Sequence, residues 1–130
     1  MRTIVYIDAF NFYFGAVKGT PYKWLDFGKL CSLLLPNNQI THLLCDGFRN
    51  NFEVAVLLTG DSDLLAPLRV VKEEIGKPIG VINPQSRPCR VLFNHASFYR
   101  QAVRPGVLAA SQFPATMADA NGTFRKPASW

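Results

Sequence analysis

Apolar residues gather in three short stretches, and each stretch ends in polar side chains. The first, TIVYID at 3–8, is β-branched and apolar on both faces, which predicts a buried parallel strand. EVAVLLTGD at 53–61 predicts a second and PIGVIN at 78–83 a third. Between them the spacing changes toward a helical period. AFNFYFGAVKG reads as a loop leading into a short helix, closed by Gly19. In WLDFGKLCSLLLP, Leu25, Leu30, Leu33 and Leu34 fall near helical spacing, with Asp26 as N-cap and Pro36 as the stop. NNQITHLLCDGF offers Ile40, Leu43, Leu44 and Phe48 as a further helix ending at Gly47. SDLLAPLRVVKEEIGK sets Leu64, Leu65, Leu68, Val71 and Ile75 on one face. Pro67 then requires a start at Ser62 or Asp63, and Gly76 marks the end. RVLFNHASFYRQAV predicts a helix and a short fourth strand at 98–103.

Strand, helix, strand, helix, strand is the rhythm of a parallel sheet covered on both faces. The expected fold class is therefore α/β, three-layer, with a mainly parallel sheet of about three or four strands. It occupies residues 1–103. Over 104–130 the periodicity is lost and Pro, Gly, Ala, Ser and Thr dominate, so an extended or loosely packed tail is expected, anchored by Phe113, Phe124 and Trp130. A chain of 130 residues, 48% hydrophobic, suits one small domain with a real core.

Composition narrows the function. No apolar run approaches the length of a membrane span, and Asp8 interrupts the first run too early for a signal peptide, so a soluble, cytoplasmic protein is expected. Cys31, Cys45 and Cys89 are odd in number and widely spaced, which argues against a disulfide framework or a zinc ribbon. His42 and His95 are too few for a histidine-rich metal site. The net charge of +5 is unevenly spread. Residues 1–84 are balanced, whereas Arg87, Arg90, Arg100, Arg104, Arg125 and Lys126 face Asp119 alone in the remainder. That asymmetry suits a polyanionic partner or a merely solvated basic surface.

The acids carry the chemistry. In a parallel α/β sheet the site lies beyond the carboxyl ends of the strands. Asp8 ends the first strand, and Asp61 and Asp63 follow the second. Three carboxylates brought together repel one another unless a cation sits among them, and hard oxygen ligands favour Mg²⁺ or Mn²⁺. Helix capping competes with this reading: Ser62 or Asp63 at a helix start is ordinary, but capping leaves the second acid and Asp8 without an explanation. Asn11, three residues after Asp8, is placed for a turn to return its amide to the same edge. Asp46, Glu53, Glu73 and Glu74 read as surface. Phe10, Phe12, Tyr13 and Phe14 stand beside the acids, suited to core packing or to stacking on unpaired bases.

YIDAFNFYFGAVKGTPYKWLD followed by VLLTGDSDLLAPLRVVKEEIGKPIGVINP resembles the NYN domain, a branch of the PIN-like nuclease superfamily. The family's I-D-G-x-N stands here as Ile7-Asp8-Ala9-Phe10-Asn11, and its S-G-D-S-D-F as Thr59-Gly60-Asp61-Ser62-Asp63-Leu64. The resemblance covers roughly residues 1–103, and the tail looks like the extension of one bacterial subgroup. It implies a doubly wound sheet and a Mg²⁺- or Mn²⁺-dependent ribonuclease, hydrolysing RNA phosphodiesters without a covalent intermediate. Asp8, Asp61 and Asp63 would be the metal-binding acids and Asn11 would assist them. Single-stranded RNA would be the partner, with Arg87 and Arg90 from the basic third as nucleic-acid contacts.

The chain departs from that family at two places. Ala9 replaces a glycine. More importantly, LCSLLLPNNQ passes straight into ITHLLCDGF, so Pro36-Asn37-Asn38 resembles the seam of an internal deletion that removes a fourth acid. Asp46 lies too far along to replace it. A shortened sheet would also leave the first strand bare on one side, inviting a homodimer through that edge. The competing function is a catalytically inactive RNA-binding or protein-interaction module of the same fold. A receiver-like or phosphatase-like phosphotransfer protein ranks below both, because its adjacent acid pair is absent.

Overall fold

A computed structural model describes residues 2–35, 39–40 and 52–129. The expected α/β class is present. Strand β1 (Arg2–Ile7) leads into helix α1 (Ala9–Phe12), which continues as a wider π-turn through Tyr13–Val17. Helix α2 (Phe27–Leu34), the two-residue strand β2 (Gln39–Ile40) and strand β3 (Val54–Leu58) follow. A 3₁₀ turn at Ser62–Leu64 opens α3 (Leu65–Arg69), which ends in a π-turn over Val70–Glu74. Then come β4 (Ile79–Asn83), α4 (Arg90–His95), β5 (Phe98–Gln101), α5 (Pro105–Ala110) and an antiparallel hairpin, β6 (Thr116–Asp119) with β7 (Gly122–Arg125).

The main sheet runs β2-β1-β3-β4-β5, every pair parallel. It consists of four strands of four to six residues and the short β2 at one edge. Alternation along β3 divides the core into two layers. Val54, Val56 and Leu58 join Phe12, Leu30, Cys31, Leu34 and Leu108 on one side, and Ala55 and Leu57 join Ile4, Leu68, Val81 and Leu92 on the other. Helices α1, α2 and α5 therefore cover one face, and α3 and α4 the other. Among the described residues no helix is long and apolar enough to cross a membrane.

Several expectations are corrected. The segment after Asp8 is helical from Ala9 onward, not a loop, because Asp8 caps it directly. Gln39 and Ile40 are strand rather than helix and pair with Arg2 and Thr3, so β1 is not bare on that side. The rest of that predicted helix, Asp46 and the seam at 36–38 lie outside the described residues. The chain from Val103 through Phe113 is not loose, although the hairpin beyond it is largely exposed. Val103, Leu108 and Ser111 are buried, the Ser111 carbonyl accepts from Asp26 N at 2.8 Å, and the Phe113 amide donates to Trp24 O at 2.9 Å. The short sequence PGVLAA gave no helical period to read, yet α5 docks on α2 through Leu108.

Candidate functional site

The strand order turns at β1 and β3: β2 lies on the far side of β1, while β4 and β5 extend beyond β3. In a doubly wound sheet that reversal opens a crevice at the strands' carboxyl ends. Ile7 pairs with Leu58, so Asp8 and Thr59 leave the sheet side by side. This places the two sequence motifs together, as their positions at strand ends imply.

Each acid has a defined local role. Asp8 is the N-cap of α1: its Oδ1 accepts from Asn11 N at 2.9 Å, and its Oδ2 accepts from the Thr59 hydroxyl at 3.3 Å. The same hydroxyl accepts from Asp61 N at 3.0 Å, so Thr59 links the two acidic segments. Asp61 is itself the N-cap of the 3₁₀ turn, accepting from Asp63 N at 3.0 Å. The cap is thus Asp61, not Ser62 or Asp63, and capping extends to Asp8 as well. Asp63 is exposed on that turn. Among the described residues no three His, Cys, Asp or Glu side chains gather closely enough to hold an ion by themselves.

Asn11 returns to the edge as its spacing suggests. Its Oδ1 accepts from Gly60 N at 2.9 Å and from Gln85 Nε2 at 3.1 Å. It therefore fixes the backbone of the second motif against the first. Gln85 and Asn83, at the end of β4, are residues that sequence reasoning missed. Gln85 Nε2 also donates to Asn11 O at 2.8 Å, and Gln85 N donates to Asn83 Oδ1 at 2.8 Å. Asn83 is fully buried, and its Nδ2 donates to the Tyr99 hydroxyl at 2.7 Å and to Arg87 O at 3.0 Å. That hydroxyl accepts from Cys89 N at 3.1 Å and donates to Gln101 Oε1 at 3.0 Å. Gln101 Nε2 closes the chain onto Gln85 O. One continuous hydrogen-bonded network thus ties the ends of β1, β3, β4 and β5. The signal for it was available: a buried strand ending in Asn at the same edge as Asp8.

A groove of about 510 Å³ runs beside this network, lined by Gly60, Gln85, Ser86, Arg87, Pro88 and Cys89. Arg87 is thereby brought to the site. Arg90 is exposed at the first turn of α4 and does not line the groove.

The donor set can be set against two kinds of metal binding. Magnesium characteristically takes one or two carboxylates, keeps waters, and completes its shell with a substrate phosphate. Asp8 and Asp61 stand at neighbouring strand ends, Thr59 joining the Asp8 carboxylate to the Asp61 backbone amide, and two carboxylates are what this edge could offer such an ion. A closed cage of three or more protein carboxylates is not what the described residues form.

Comparison with known proteins adds one partial likeness. The chain is 65% identical over 42 residues to 6-hydroxy-3-succinoylpyridine 3-monooxygenase HspA of Pseudomonas putida. The match covers 32% of this chain and 14% of that protein. No family model matches the chain, and no solved structure matches it.

Proposed function

We propose that this chain is a NYN-type, PIN-like domain that hydrolyses single-stranded RNA with Mg²⁺ or Mn²⁺. The observation that carries the reading is the Thr59-linked pair Asp8 and Asp61 at the β1/β3 reversal, with Asn11 bonded to Gly60. Asp8 and Asp61 would hold the ion, with Asp63 exposed on the adjoining turn. Bound there, the ion would offset charge on a phosphoryl group and acidify a water molecule. The chain's own residues supply the rest. Asn11 and Gln85 fix the Gly60 backbone, and Arg87 offers a guanidinium to the phosphate backbone from the groove wall. Free thiols at Cys31 and Cys89 suit a reducing compartment, and a cytoplasmic location is part of the proposal.

Asparagine caps a helix about as well as aspartate but lacks the charge. That gives a clean test. Asp61→Asn is expected to retain thermal stability, abolish Mn²⁺ binding by calorimetry and abolish metal-dependent cleavage of single-stranded RNA. Asp61→Ala is expected to lose binding and about 1 kcal/mol of stability as well. Wild-type protein that binds no Mn²⁺ at millimolar concentration would sink the nuclease reading.

A second reading rests on a specific observation: both Asp8 and Asp61 already serve as N-caps, and no third ligand joins them among the described residues. On that reading the chain is an inactive RNA-binding or protein-interaction module, and Asp61→Asn would leave RNA affinity unchanged. The oxygenase activity named for the Pseudomonas relative is not carried over, since the match spans so little of that protein.

A further inference from the structure

Helix α1 and its π-turn present three faces. Phe12 and Val17 are buried in the core. Asn11 and Gly15 face the network: Asn11 bonds Gln85, and a Cβ on Gly15 would stand 2.8 Å from the Gln85 amide. The third face is exposed and aromatic. Phe10 is 75% exposed, Phe14 46% and Tyr13 41%. These rings are organised. The Phe10 and Phe14 centroids are 4.6 Å apart, and Tyr13 meets Phe14 edge-on at 5.3 Å. Lys18 Nζ sits 4.6 Å from the Phe14 centroid, continuing the Phe10–Phe14 row by another four residues.

A contiguous exposed aromatic patch on a small protein marks an interaction site. Charge selects the occupant. Lys18 Nζ lies over Phe14, and Lys23 lines a shallow pocket with Tyr13, so two cations border the patch. Flat apolar rings edged by cations complement unpaired bases on a phosphate backbone. Position points the same way, because the patch begins two residues after Asp8 and lies on the same helix as Asn11.

We propose that Phe10, Tyr13, Phe14 and Lys18 form a stacking platform for unpaired bases of a single strand entering the site. This rests on the nucleic-acid reading above and specifies how the strand is held. Duplex bases, already stacked and paired, would not engage it.

The test measures binding by fluorescence anisotropy in chelator, where no metal-dependent cleavage can occur. The probes are a short oligoadenylate and an abasic strand of equal length and charge. Wild-type protein is expected to prefer oligoadenylate by roughly ten-fold or more, since stacking contributes on the order of five- to one-hundred-fold per base. Phe10→Ala combined with Phe14→Ala should erase that preference and leave abasic binding unchanged, while Phe10→Trp should keep it. Both phenylalanines are exposed, and unchanged thermal melting checks that the variants fold. Equal wild-type affinity for the two strands, or an undiminished preference in the double variant, overturns the platform. So does sedimentation showing a wild-type dimer that the double variant abolishes without changing RNA affinity. Metal-dependent cleavage is read separately. If it persists with unchanged KM in the double variant, the platform falls while the nuclease reading stands.

Discussion

Gly60 sits where three chain segments converge, and its lack of a side chain is what allows them to. A Cβ there would overlap Asn83 Oδ1 and lie 2.9 Å from Gln85 Cγ. The neighbour that would have to give is Asn83, a buried side chain whose amide is already committed at both ends. Gly60→Ala is therefore expected to destabilise by about 1–3 kcal/mol, the usual range for forcing atoms into a packed site. Urea unfolding checks it, and an unchanged midpoint would mean that Asn83 and Gln85 do not pack as described. Cys31 gives a second prediction at this scale. Burial in the core beneath α2 pushes its thiol up to about 11. The native chain then keeps a proton that the unfolded chain releases near its ordinary value of 9.0. Stability from this group is whole below that value and is lost as pH rises from it through about 11. The loss is on the order of 2 kcal/mol. Urea midpoints at about pH 8 and about pH 11 should fall further in wild type than in Cys31→Ala; parallel declines would refute the assignment.

At the scale of elements, what the sequence made legible was whatever depends on period. The buried strands at 3–8, 53–61 and 78–83, the Asp26 cap and the Gly76 stop all follow from local pattern, and the structure has β1, β3, β4, the N-cap of α2 and a positive φ of 71° at Gly76. What escaped was set by tertiary partners. Gln39 and Ile40 become strand by pairing with Arg2 and Thr3, against a helical spacing that continues beyond them. The π-turns after α1 and α3 widen otherwise regular helices, and no residue type signals them. The site was legible to a similar degree. Asp8, Asn11, Asp61 and Asp63 could be named from their places at strand ends, and three of the four enter one hydrogen-bonded edge through side-chain oxygens. Asn83 was open to notice as the polar end of a buried strand, but NPQS after that strand reads as a turn, and nothing local assigns Asn83 or Gln85 to this edge. Only the topology, which aligns β4 beside β3, turns those polar residues into supports for Asn11 and Gly60.

For the whole molecule, the open matter is how much of the chain after β5 the fold requires. No hydrophobic period is legible beyond residue 103, yet the structure divides this stretch in two. Its first part is core. Val103 and Leu108 are buried with Leu30, Cys31 and Leu34, and Asp26 N donates to Ser111 O. Its second part is peripheral. The β6–β7 hairpin is largely exposed, with Phe124 46% accessible, and it touches the body through the Trp24, Phe113, Met117 and Phe124 groove. Fully burying a Val or Leu contributes roughly 1.5–3 kcal/mol. Removing residues 105–130 would take Leu108 away and uncover Val103 and the α2 face together. That loss approaches half of the 5–15 kcal/mol that holds a typical domain. Truncation after residue 114 removes the hairpin and leaves those contacts intact. It is expected to unfold cooperatively with a midpoint near wild type, whereas truncation after residue 104 should lose at least roughly 3 kcal/mol or fail to fold. Urea denaturation of the two truncated chains decides it. Equal stability would mean that α5 is an appendage after all and that the α/β unit ends at β5.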